Sequence, residues 1–65
     1  MIEIQKDDLP KYVGKEVVFV SNGIEKRVLI KQFENGNIIG FGTIECTYNF
    51  PLKKEYPNVK FYING

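Results

Sequence analysis

The stretch EVVFVSNGIEKRVLIKQFENGNIIGFG, residues 16–42, decides the fold because two Asn-Gly pairs separate runs rich in β-branched and aromatic residues. An Asn-Gly pair tolerates positive φ at both central positions of a type I′ turn and so favours a two-residue β-hairpin. Asn22-Gly23 is predicted to join a first strand to a second, and Asn35-Gly36 to join the second to a third. The stretch therefore predicts a three-stranded antiparallel meander.

The two turns also predict which residues face each other across the meander. Around the first turn, Val17 faces Val28. Around the second turn, Ile30 faces Phe41. Because side chains alternate between the two faces of a strand, one face is predicted to be apolar and to form the core. This face carries Val17, Phe19, Val28, Ile30, Ile39 and Phe41, with Lys26 and Glu45 as an opposite-charge pair at its margin.

The opposite face of the meander mixes charged residues with large apolar ones. It is predicted to carry Glu16, Val18, Val20, Glu25, Arg27, Leu29, Lys31, Phe33, Ile38, Gly40, Gly42 and Ile44. So many apolar side chains are not expected to face water. Either the sheet curls strongly, or a partner covers part of this face. Two glycines on one face would permit sharp bending or a close backbone approach.

Three weaker patterns flank the meander. Residues 7–14, DDLPKYVG, have an Asp cap, a Pro in the first turn and a closing Gly, which predict one short helix with Leu9 and Val13 on its buried side. Residues 59–63 alternate as a last strand, and residues 1–5 would pair at an edge. Residues 1–65 are predicted to form a single domain.

Composition argues against most enzyme classes. The 65 residues include no His and one Cys, with a net charge of +1. One chain therefore lacks the ligands of a common zinc site, an internal disulfide and a Ser-His-Asp triad. We expect no enzyme activity, no cofactor and no metal. We also expect no membrane span, because no apolar run approaches ~18 residues. A single Cys fits the reducing cytoplasm.

Residues 9–37 resemble the first motif of the Sm-like family, which includes the bacterial host-factor RNA chaperones. The shared features are an apolar residue in a short helix, Gly14, alternating apolar positions, a Gly turn and the pair Phe33-Glu34 before an Asn. Residues 61–65, FYING, resemble the second motif. The resemblance implies a small, strongly bent antiparallel barrel of the SH3-like or Sm-like type, with one short N-terminal helix. It also implies ring-shaped oligomers and single-stranded RNA held by Asn35, Asn37 and Asn64.

Two functions remain open from the sequence. The first is a non-catalytic module that binds another protein or its own copies, as a bacterial or phage regulator, inhibitor or subunit. The alternative is an Sm-like oligomer that binds RNA or single-stranded nucleic acid. Basic residues on the mixed face would attract phosphates, and exposed aromatic residues would stack on bases. The candidate binding residues are Arg27, Lys31, Phe33, Asn35, Asn37, Tyr62 and Asn64; Tyr48 and Tyr56 are aromatic residues of undetermined role.

Overall fold

A computed structural model describes residues 1–42 and 46–64, which form six strands and one 3-10 helix. The elements are β1 (Ile2–Ile4), the 3-10 helix (Lys6–Tyr12), β2 (Glu16–Ser21), β3 (Ile24–Glu34), β4 (Asn37–Gly42), β5 (Thr47–Pro51) and β6 (Val59–Ile63). All six strands lie in one antiparallel sheet in the order β1-β6-β2-β3-β4-β5. The smallest dimension of the molecule is 21 Å, about twice the ~10 Å that separates two packed sheets. The six strands therefore do not lie in one flat layer, and the sheet is bent. The predicted all-β fold, a strongly bent antiparallel sheet with one short helix, is confirmed. Within the described residues, however, the sheet is not closed into the predicted barrel, since β1 and β5 are its two edges.

The first hairpin has the predicted register throughout. Asn22 and Gly23 have φ values of 52° and 78°, as a type I′ turn requires. Val17 pairs with Val28, and the ladder continues without a break. The second turn has the same geometry, with φ of 52° and 78° at its Asn and Gly. Turn chemistry alone therefore identified both hairpins.

The second hairpin departs from the predicted register at Ile30, five residues before Asn35. Phe33 pairs with Ile38 as expected, but a β-bulge lies between Ile30 and Gln32. Beyond the bulge Ile30 pairs with Gly40, so its predicted pairing with Phe41 is wrong. The bulge adds one residue to β3, so the pairing with β4 shifts by one position beyond it. Because successive side chains of a strand lie on opposite faces, this shift places each β4 side chain on the face opposite to the predicted one.

The bulge changes which β4 residues enter the core. Ile38, predicted for the opposite face, is 1% exposed and belongs to the core. Phe41, predicted for the core, pairs with Leu29 on the outer face and is 37% exposed. Ile39 is likewise only half-buried. The predicted core positions on β2 and β3 are confirmed as buried, except that Phe19 is half-buried against the core. The buried core consists of Ile4, Leu9, Val17, Val28, Ile30, Ile38 and Phe61.

We call the side of the sheet that holds this core the concave face and the other side the convex face. Gly40 and Gly42 were predicted for the mixed face, which is wrong: the bulge places them on the concave face, where they pair with Ile30 and Val28. A Cβ at Gly40 would lie 2.5 Å from the Val28 side chain, and one at Gly42 would lie 2.5 Å from the Tyr48 ring. Because these two positions have no side chain, the Val28 side chain and the Tyr48 ring can pack directly against the β4 backbone. The expected partner of Lys26, Glu45, lies outside the described residues.

The short helix closes one end of the concave face. Leu9 is fully buried, as predicted. The helix is a 3-10 helix, however, so side chains three apart share a side, and Tyr12 packs against the core while Val13 is exposed. The predicted Asp cap is also wrong: Gln5 occupies the N-cap position, and Asp8 instead contacts Lys11 at 3.1 Å.

The chain ends meet beside this helix. β1 pairs with β6 as an edge strand, with Ile4 opposite Phe61. Within the described residues, no helix is long and apolar enough to cross a membrane.

Candidate binding groove

A groove of about 290 Å³ opens on the concave face at the end that carries the first hairpin turn. It runs between β5 on one side and β2, β3 and β6 on the other. Its described lining consists of Phe19, Ser21, Asn22, Ile24, Lys26, Tyr48, Asn49, Phe50, Tyr56 and Val59. Most of this surface is apolar. We refer to it as the aromatic groove.

Three aromatic rings of the groove lining, those of Phe19, Phe50 and Tyr56, pack on one another, and Phe61, outside the lining, contacts two of them. Phe50 stacks on Tyr56 with ring centroids 4.2 Å apart and an angle of 24° between the ring planes. Phe19 meets Phe50 edge-on at 5.3 Å and Phe61 at 5.1 Å. Such offset and edge-to-face contacts each contribute about 0.5–1.5 kcal/mol beyond the area that they bury. The floor is therefore packed before any ligand arrives.

The local sequence explains how these rings come together. In β5, Tyr48 and Phe50 are two residues apart and so face the same side. Gly42 leaves the space that the Tyr48 ring fills. The loop after β5 returns Tyr56, whose hydroxyl donates a hydrogen bond to the Pro51 carbonyl at 3.1 Å. This bond holds the Tyr56 ring against Phe50.

Among the described residues, the charged groups that lie against the tyrosine rings of the groove are lysine ammonium groups. Lys26 is the charged side chain of the described lining, and its ammonium lies 5.6 Å from the Tyr48 ring centroid. Lys6 and Lys54 place ammonium groups 5.9 and 5.7 Å from the Tyr56 ring centroid. Ammonium groups this close to a ring are held by cation–π attraction. The rim thus presents cations next to an apolar floor.

One large apolar side chain at the mouth of the groove faces water. Ile24 begins β3, lines the groove and is 62% exposed. Burying an isoleucine fully against a partner stabilises a complex by about 1.5–3 kcal/mol. Ile24 is therefore available to contact a ligand without rearrangement of the sheet.

The convex face presents a second, flatter apolar surface. Leu29 and Phe41 face each other there and are both 37% exposed, and the Lys31 ammonium lies 5.8 Å from the Phe41 ring centroid. Arg27 lies near Glu16 at 3.7 Å, with both side chains largely exposed. This surface is the mixed face predicted from the amino-acid sequence, altered by the bulge.

The structure distributes the predicted binding residues over three places. Arg27, Lys31 and Tyr62 lie on the convex face. Phe33, Asn35 and Asn37 lie at the second hairpin turn, and Asn64 lies in a separate depression beside Tyr12 and Glu16. None of these seven residues appears in the described lining of the aromatic groove.

Sequence reasoning missed the groove as a site. Tyr48 and Tyr56 were recognised as aromatic residues of undetermined role, but their partners were not. The alternation of Tyr48 and Phe50 in β5 was a usable signal. The return of Tyr56 onto Phe50 depends on tertiary packing, which the local pattern did not contain.

Compared with protein-family models, curated proteins and solved structures, the chain matches none of them. Among residues 1–42 and 46–64, no group of three His, Cys, Asp or Glu side chains is placed to hold a metal ion. The function is therefore argued from the groove and its charges.

Proposed function

We propose that this chain is a non-catalytic, cytoplasmic binding module that acts through protein–protein contacts as a regulator, inhibitor or subunit. The observation that carries this proposal is the aromatic groove: a pre-packed apolar floor, an exposed Ile24 and a cationic rim. Binding sites are typically concave, mostly apolar and formed in advance, with a few polar groups that orient the ligand.

The size of the groove suits a protein segment. Its volume of about 290 Å³ is at the lower end of the ~300–1,000 Å³ typical of ligand pockets. One or two side chains of a partner would fill it. The rim and the concave surface around it would supply the rest of the contact with a whole partner protein, because a standard interface buries ~800 Å² per partner and the chain exposes 4604 Å².

Selection from a displayed library of random twelve-residue peptides tests this proposal. Peptides that bind the wild-type chain are measured again on two variants of β3, Ile24→Ala and Phe33→Ala. Both residues are exposed and apolar, and they lie at opposite ends of one strand. We expect Ile24→Ala to weaken binding about tenfold, which is about 1.4 kcal/mol, and Phe33→Ala to leave it within twofold.

Equal effects of the two substitutions would place binding outside the groove and contradict the proposal. Failure to select any peptide that depends on Ile24 would contradict it as well. Circular dichroism of both variants controls for folding, since each replaces a side chain at the surface.

The alternative function is binding of RNA or single-stranded DNA by an Sm-like oligomer. The observation that favours it is the contact of lysine ammonium groups with two tyrosine rings, Lys26 with Tyr48 and Lys54 with Tyr56. Lysine beside an aromatic ring is the combination that single-strand binders use. Family resemblance adds Asn35, Asn37 and Asn64 as base contacts for this alternative.

Two measurements separate the alternative from the proposal. Light scattering on a sizing column gives the absolute mass, and a ring-sized assembly would support the Sm-like reading. Fluorescence anisotropy with labelled oligo(U) and oligo(dT) at increasing salt gives the nucleic-acid affinity. Binding that depends on phosphate contacts weakens steeply as the salt concentration rises, whereas binding through a buried apolar side chain does not.

A further inference from the structure

We propose that the occupant of the aromatic groove is an extended, acidic segment of a partner protein, which adds to β5 as a new edge strand. The inference rests on the proposed function, since it names the kind of segment that binds there. Three features carry it: the open edge of β5, the groove beside that edge, and the cations on the rim.

The first feature is the outer edge of β5, which pairs with no other strand within residues 1–42 and 46–64. Residues that bond to one neighbouring strand of an antiparallel ladder alternate with residues whose N–H and C=O point away from it. Gly42 N–H donates to the Cys46 carbonyl, and Leu52 N–H donates to the Gly36 carbonyl, both at 3.0 Å. The even-numbered residues of this stretch therefore bond to β4. Asn49, between them, presents its N–H and C=O to the open edge.

The open edge is short, because one end of β5 is already closed. Pro51 also faces outward but has no N–H to donate. Its carbonyl accepts the hydrogen bond from the Tyr56 hydroxyl. A segment that adds to β5 is therefore limited to the part from Thr47 to Asn49, the outward-facing residues before Pro51. This length suits a strand of three or four residues and disfavours a long sheet extension.

The second feature is the position of the groove relative to this edge. Asn49 itself lines the aromatic groove, between Tyr48 and Phe50. Alternate side chains of a strand paired with β5 project to the concave face, where the groove lies. One bulky apolar side chain of the segment thus enters the groove and contacts Ile24. Peptide recognition by strand addition works in this way: main-chain bonds hold the segment, and a pocket selects alternate side chains.

The third feature is charge. The whole chain has a net charge of only +1, yet Lys26 lines the groove, and Lys6 and Lys54 flank its Tyr56 wall. Carboxylates next to the apolar anchor would pair with these cations. Complementary charge across an interface selects the partner and steers its approach. A basic segment would meet repulsion at Lys26 inside the groove, whereas Lys6 lies in the adjoining depression with Glu3, Asp7 and Glu55 and donates a hydrogen bond to the Lys54 carbonyl.

The test uses the peptides selected on the full chain, made synthetically, and two matched lysine variants. Lys26→Glu and Lys31→Glu make the same change on one strand, but Lys26 lines the groove and Lys31 lies on the convex face. We expect the selected peptides to be enriched in Asp and Glu. We expect Lys26→Glu to weaken their binding at least tenfold and Lys31→Glu to change it less than threefold.

Strand addition has its own readout. Amide hydrogen exchange followed by NMR should show the Asn49 N–H slowed at least tenfold when the peptide is bound. N-methylation of one peptide amide at a time should abolish binding at the position that pairs with Asn49 and be tolerated at the next position.

The outcomes separate the two proposals. Peptides that depend on Ile24 but lack acidic residues, or that leave Asn49 exchange unchanged, overturn strand addition and leave the protein-binding function standing. Absence of any Ile24-dependent peptide overturns both. Concentration-dependent protection of Asn49 without peptide would assign the edge to a second copy of the chain. Displacement of the peptide by oligo(dT) would assign the groove to nucleic acid.

Discussion

The two hairpins begin from the same turn but end differently. Both turns are Asn-Gly with φ of 52° and 78°. The first ladder runs without a break from Ser21 to Glu16, whereas the second breaks at the bulge after Ile30. A turn fixes the register of the residues next to it, and tertiary packing decides whether that register continues. In β4 the difference decides which side chains are core and which are surface.

The largest expected effect comes from introducing a carboxylate on the concave face, compared with the same change on the convex face. Ile30→Asp would bury an unpaired carboxyl group at a fully buried site, which costs several kcal/mol. Since a 65-residue domain has a total stability of roughly 3–10 kcal/mol, we expect this variant to be unfolded. Phe41→Asp, on the convex face, should remain folded. Circular dichroism and a proton–nitrogen NMR spectrum distinguish the two, and an unfolded Phe41→Asp would contradict the bulge.

A finer comparison uses two neighbours on β4. Ile38 is buried in the core and Ile39 is half-buried on the convex face. We expect Ile38→Ala to lower the free energy of unfolding by about 2–4 kcal/mol and Ile39→Ala by about 1 kcal/mol. Urea denaturation measures both. A continuous register without the bulge would reverse the order, because it buries Ile39 instead.

Replacing the glycine of either hairpin turn by alanine should lower the free energy of unfolding by the same amount. Gly23 and Gly36 both have φ of 78°, and a Cβ at either position would meet no atom within 4 Å. Gly23→Ala and Gly36→Ala should therefore each cost about 1–2 kcal/mol, from backbone strain alone. Thermal unfolding checks this. Values that differ by more than about 1 kcal/mol would show that the two turns are not equivalent.

The smallest effect is expected at the ion pair that bridges the first hairpin. Glu16 and Arg27 are 3.7 Å apart, and their side chains are 46% and 60% exposed. Exposed pairs contribute about 0–1 kcal/mol, so Glu16→Gln should shift the free energy of unfolding by less than about 0.5 kcal/mol. The shift should vanish in 1 M NaCl, where the Debye length is about 3 Å. A larger or salt-independent loss would show that Glu16 does more than pair with Arg27.

The sequence predicted what local chemistry decides. Asn-Gly pairs gave both turns, and apolar alternation gave the buried positions Val17, Val28 and Ile30. The amino-acid sequence did not predict the bulge. Neither Gly nor Pro occurs at Lys31, and the alternation of apolar residues can be extended past Lys31 without a break. The sequence also predicted a helix with Leu9 buried, but the 3-10 geometry replaced Val13 by Tyr12 on the buried side.

The candidate site was harder to predict than the fold. Residues such as Arg27 and Lys31 stand out in the sequence because of their charge, and the structure places them on the convex face. The groove joins Ile24 and Lys26 on β3 to Tyr48 on β5 and Tyr56 in the following loop. These residues share no spacing, since only the folding of β5 against the first hairpin brings them together.

The place of β6 in the sheet has a consequence for the order of folding. β6 is the last strand along the chain, yet it lies between β1 and β2, with Phe61 opposite both Ile4 and Phe19. The two hairpins need only local contacts and can form within about 1–10 μs. The β6 pairings join residues at least 38 positions apart, as in Ser21 with Val59, which makes them the slow part of the reaction. On the ribosome, therefore, the meander can assemble early, while β1 can pair only after β6 has been synthesised.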